Sequence, residues 1–156
     1  MSWQAGIPPI ISLHRYFCAA ARMQKFYEAA IVSPAHEEKR RTLAPDVFAA
    51  YLHSGPASVV YYWYGALDVV KEGYVELELH DAQVDNLLAD TVKVAALKRC
   101  RNGIFHFQKK YFDERFIELM REDGFVQWVR ELTDAFGRCI KREMDQGYWN
   151  KPANPS

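Results

Sequence analysis

The strongest constraint on how this chain folds is the stepping of its apolar residues by three and four. Leu97, Cys100, Ile104, Phe107 and Tyr111 follow that rule through one segment, and Phe125, Trp128, Leu132, Phe136 and Cys139 or Ile140 follow it through another. Residues so spaced lie on one face of a helix, whereas a half-buried strand needs strict alternation. The pattern extends through most of the chain. Leu13, Phe17, Ala20 or Ala21, and Phe26 or Tyr27 mark a first helix past Pro8-Pro9 that runs to about residue 31, with Ser12 available as a cap. Phe112, Phe116, Leu119 and Met120 form a further amphipathic stretch that Gly124 separates from the last helix.

Between these segments the reading is coarser. Residues 33–45 are polar and bounded by prolines, which predicts a connection with a charged, solvated tip. Pro45-Asp46 opens a short helix through Leu52, and Pro56 stands where the first turn of the next helix tolerates it, leading into Ser58 to Val70. That helix is apolar nearly all round. Tyr61, Tyr62, Trp63 and Tyr64 are more than one face can bury, so it is either the centre of the core or an interface with a partner. Val75 to Leu79 alternates, but it is short and isolated and is read as an extended or helical connector. Asp85 to Ala89 leads into a long helix from about Thr91 to Gln108.

The expected fold is therefore all-α: a helical bundle of four to six helices, in one domain over residues 1–156 with a loose tail from about 147. At 156 residues, 49% of them hydrophobic, a single core is affordable. The run from Val47 to Leu67 carries no charged side chain and is long enough to test as a membrane span. His53-Ser54-Gly55-Pro56 breaks it in the middle, so no span is expected. The N-terminus shows no basic stretch ahead of an apolar one, which predicts a cytoplasmic protein.

Charge excludes little. Lys plus Arg and Asp plus Glu number 20 each, so nucleic-acid binding would have to come from a local patch. Cys18, Cys100 and Cys139 are odd in number and lack CxxC spacing, which predicts reduced, buried thiols and no zinc site; with no metal-ligand cluster or glycine-rich phosphate loop in the sequence, no metal and no cofactor are expected.

One segment carries the residue types of a chemical site: Arg101-Asn102-Gly103-Ile104-Phe105-His106. Cleaving RNA without a metal requires a group that moves protons near neutral pH and a fixed cation to meet phosphate charge. Histidine and arginine are those groups, and Asn102 can add a hydrogen bond. At roughly 100° per residue, Asn102 and His106 share a side of the helix away from the apolar stripe, while Arg101 lies roughly 140° from His106. Lys98, Arg99, Lys109 and Lys110 surround them as a local basic patch suited to a phosphate backbone. Gly103, costly inside a helix, marks either a tolerated defect or a close approach to the backbone.

The stretch Leu97 to Gln108 resembles the signature helix of the HEPN superfamily, in which an arginine, often followed by asparagine, precedes a histidine by four to six residues. The resemblance covers this helix and extends to its neighbours only in their order and type. It implies an up-and-down bundle of four or five helices, usually a homodimer in which two such helices face each other across a composite cleft, bringing together groups that one helix holds apart. It further implies a metal-independent endoribonuclease, of the kind found in defence or toxin–antitoxin settings, that drives a ribose 2′-hydroxyl onto the adjacent phosphate. His106 would be the acid or base, Arg101 the stabiliser of the transition state and Asn102 a positioning group. Some relatives carry a modifiable tyrosine two residues after the histidine. Gln108 stands there in this chain, so pairing with a nucleotidyltransferase antitoxin gains no support. The alternative is a non-catalytic HEPN-like scaffold that binds a protein or ligand through Tyr61 to Tyr64.

Overall fold

A computed structural model describes residues 7–105 and 124–146. Among them lie seven helices and no strand: α1 (Pro9–Ile31), α2 (Pro34–Thr42), α3 (Pro45–Ser54), α4 (Pro56–Glu76), α5 (Ala82–Leu88), α6 (Thr91–Phe105) and α7 (Phe125–Met144). The all-α bundle expected from the apolar spacing is what forms. Its helices outnumber the four to six anticipated because two short ones occupy segments read as connections.

The first of these is α2. Residues 33–45 were expected to be a solvated connection, yet Ser33 caps a helix by accepting the His36 N–H on its hydroxyl at 3.2 Å. Pro34 follows at the first turn, Glu37 lies near the N-terminus, and Lys39, Arg40 and Arg41 crowd the last turn. Each sign matches the helix dipole at its end. His36 anchors this polar helix by turning inward between the rings of Phe48 and Tyr51, with centroids 5.6 and 6.0 Å away. The other short helix, α5, starts at Asp81, whose carboxylate accepts from the Gln83 and Val84 N–H groups. Ser12 caps nothing. Pro8 precedes α1 without a side-chain cap, and Ser12 sits inside the helix.

The alternation of Val75 to Leu79 has a local explanation. Helix α4 runs on to Glu76, six residues beyond Val70, and ends in a left-handed Glu78 with φ of 51°. The Leu79 N–H reaches back to the Tyr74 carbonyl at 3.1 Å and the Glu78 N–H to the Val75 carbonyl at 3.0 Å, the paired bonds of a Schellman stop.

Helix α4 is the axis of the bundle, packed against α1, α3, α6 and α7. Trp63, Leu67 and Val70 are fully buried along it, joined by Leu97 and Cys100 of α6 and by Val129, Leu132, Phe136 and Ile140 of α7. The choice left open for the aromatic run thus falls on the core: Tyr61, Trp63 and Tyr64 are buried, and Tyr62 is 48% exposed. The Trp63 indole N–H donates to the Thr133 hydroxyl at 3.2 Å, which donates in turn to the Val129 carbonyl, so both buried polar groups are satisfied. Helix α1 approaches closely at two glycines. A Cβ on Gly73 would stand 2.7 Å from Leu13 Cδ1, and one on Gly137 would stand 2.9 Å from Phe17 Cζ.

Cys100 and Cys139 are buried free thiols as expected, and Cys18 is half-buried with its Sγ 3.4 Å from His14 Nε2. Among the described residues no helix is long and apolar enough to cross a membrane. The expected helix over Phe112 to Met120 and the tail from 147 lie outside the described residues.

Candidate functional site

Helix α6 begins at Thr91, as its apolar period predicts, and Asp90 holds that start by accepting the Lys93 N–H at 3.1 Å. Leu97, Cys100 and Gly103 face inward and are buried, Ile104 packs against the core, and Lys98 and Arg99 are exposed. Gly103 therefore sits on the packed face of α6. Asn102 is half-buried. Three of the residues singled out by the sequence, His106, Lys109 and Lys110, lie outside the described residues.

Arg101 leans back onto α4 and is engaged by two carboxylates. One terminal nitrogen of its guanidinium lies 2.5 Å from Glu72 Oε1 and 3.3 Å from Asp68 Oδ2. Asp68 is wholly inside the bundle, at 0% exposure, and its other oxygen meets Lys71 Nζ at 2.5 Å. Among the described residues the result is a set of four charges, Asp68, Lys71, Glu72 and Arg101, whose formal sum is zero. Glu72, through its hydrogen bond, pushes the Arg101 guanidinium still higher in pKa, and the more distant Asp68 charge adds to this. The cation is permanent. Next to it, burial in the apolar stripe and then the Asp68 charge drive the Cys100 thiol up to about 12, which keeps it protonated and unreactive.

Asp68, Lys71 and Glu72 were not singled out from the sequence, although a signal was present. Asp68 is the first charge after 21 residues without one, on a helix read as apolar nearly all round. A carboxylate in such a place must find a cation. Lys71 and Glu72 follow three and four residues later, on the same helix face.

Glu72 also borders a groove of about 310 Å³ between α1 and α4, walled by Pro9, Ser12, Leu13, Tyr16 and Glu76. The Arg101 cluster is thus half sealed. Asp68 and Lys71 are closed in by packing, while Glu72 and part of Arg101 reach solvent, with side chains 47% and 27% exposed.

Compared with known families, curated proteins and solved structures, the chain matches no family model, no curated protein and no solved structure. The functional reading of the chain rests on its own residues.

Proposed function

We propose that this chain is a metal-independent endoribonuclease of the HEPN type, acting as a homodimer in which paired copies of α6 and the residues after it form the site. Arg101 stabilises the charge that develops on phosphate when a ribose 2′-hydroxyl attacks it, Asn102 positions that phosphate, and His106 moves the proton. Lys98, Arg99, Lys109 and Lys110 contact the RNA backbone. The products are a cyclic phosphate and a 5′-hydroxyl.

The observation that supports this reading is the fixing of Arg101 by the buried Asp68. An electrostatic catalyst works by being oriented before the reaction begins, so that no reorganisation is spent at the transition state. A side chain tied at 3.3 Å to a carboxylate inside the bundle, yet 27% exposed, fits that requirement better than a freely swinging surface arginine.

A second reading, a non-catalytic HEPN-like scaffold, draws on the same contacts, because an arginine with two carboxylates is already satisfied without RNA. The surface first considered for it has largely gone, since Tyr61, Trp63 and Tyr64 pack inside.

Incubating the protein with total RNA and structured RNAs in excess chelator separates the two. The nuclease produces fragments ending in cyclic phosphate, and His106→Ala abolishes them while leaving the circular dichroism spectrum and melting temperature intact. Cleavage that survives this substitution, or RNA left whole by the native oligomer, overturns the enzyme reading.

A further inference from the structure

Asp68 and Glu72 both take their contact from the same guanidinium nitrogen of Arg101. That nitrogen carries two hydrogens, one for each carboxylate, so a phosphate that is to be met there must displace one of them. Their settings differ sharply. Asp68 is at 0% exposure and shares its second oxygen with Lys71, whose side chain is only 12% exposed. Moving Asp68 would strand Lys71 in a low-dielectric space, a heavy desolvation penalty. Glu72 is 47% exposed, has Arg101 as its one ion-pair partner among the described residues, and stands on the wall of the α1–α4 groove. It can swing into water at the cost of a largely solvated pair.

We infer that Glu72 occupies the phosphate seat of Arg101 in the RNA-free protein, and that an RNA phosphate displaces Glu72 while Asp68 stays in place. Charge counting supports the exchange. With Glu72 in contact, the four side chains sum to zero and offer a phosphate no net attraction; with Glu72 turned out, Asp68, Lys71 and Arg101 leave one positive charge at the mouth of the cluster. Glu72 is therefore an internal competitor. It keeps Arg101 oriented when no substrate is present and weakens the hold on any single anion, so that only a ligand with several phosphates held by neighbouring cations dislodges it. Asp68 is the permanent positioning residue behind the guanidinium. This inference rests on the nuclease reading of the same site.

The test uses a 2′-O-methyl RNA oligonucleotide, which lacks the attacking hydroxyl, with binding read by fluorescence anisotropy on the full-length chain. Glu72→Gln keeps the shape and removes the competing charge, and is expected to bind about 3- to 10-fold more tightly than wild type. Glu76→Gln makes the same change in net charge one turn further along α4, away from Arg101's partners, and is expected to shift affinity less than about twofold. In an Arg101→Gln background the gain from Glu72→Gln disappears. Should Glu72→Gln fail to reproduce the wild-type circular dichroism spectrum, Glu72→Ala serves in its place. Equal gains from the Glu72 and Glu76 variants, a gain that persists without Arg101, or no gain at all overturns the inference. If wild type still binds through Arg101 in those cases, the nuclease reading stands. If no variant binds the oligonucleotide, both fall together.

Discussion

The hydroxyl of Tyr74 donates to Asp85 Oδ1 at 2.6 Å while accepting the Asp81 backbone N–H at 2.8 Å. One phenol thereby joins the end of α4 to the start of α5, and its ring packs edge-on against Phe136 of α7 at 5.5 Å. Asp81 continues the tie by pairing with Arg142 of α7 at 2.7 Å.

Removing that hydroxyl leaves the Asp81 N–H and the Asp85 carboxylate each short of a partner. Tyr74→Phe is expected to lower stability by about 1–2 kcal/mol. Urea denaturation followed by circular dichroism checks this, and an unchanged midpoint would mean that water replaces the phenol without cost.

Asp68 joins α4 to α6 through buried charge. Asp68→Ala strands Lys71 and leaves Arg101 with Glu72 alone, and is expected to cost about 2–3 kcal/mol; the full penalty for breaking a buried pair is tempered because Arg101 reaches solvent. The same urea titration reads the loss. Adding Lys71→Met should restore part of it, since the second change removes the charge that the first left unpaired.

Glu78 stands in a left-handed conformation that a glycine adopts without steric penalty. Its side chain is exposed and the Schellman bonds around it are made by the backbone. Glu78→Gly is expected to raise stability by about 0.5–1 kcal/mol, the relief of strain exceeding the added freedom of the unfolded chain. A rise in the thermal midpoint is the expected sign.

High pH should unfold the protein through groups that fold in their neutral form. Burial raises the Cys100 thiol from 9.0 to about 12, and burial together with the Asp85 hydrogen bond raises the Tyr74 phenol. An acid whose folded pKa lies above its unfolded value contributes stability that is complete below the unfolded value and disappears as pH rises toward the folded one. Melting temperature should therefore fall progressively from about pH 9 upward, where the unfolded thiol ionises. Cys100→Ala should start from a lower plateau and decline less steeply over that interval.

The sequence by itself determined that this chain is all-helical, and where the long helices begin. Three- and four-residue apolar spacing is a local property, so the start of α6 at Thr91 and the stripe of Phe125 to Ile140 in α7 follow from periodicity alone. The caps of α2 and α5 were legible too, in Ser33-Pro34 and Asp81, but polar composition argued louder than capping chemistry. Tertiary structure decided what no local pattern contains. It chose the core for Tyr61, Trp63 and Tyr64, because α4 is enclosed by α1, α3, α6 and α7 and so buries more than one face. It also turned Arg101 away from a simple surface position, because Asp68 and Glu72, some thirty residues earlier in the chain, come within ion-pair distance only once α4 and α6 have packed. Periodicity reports which way a side chain points on its own helix; which charge it meets depends on the helix laid beside it.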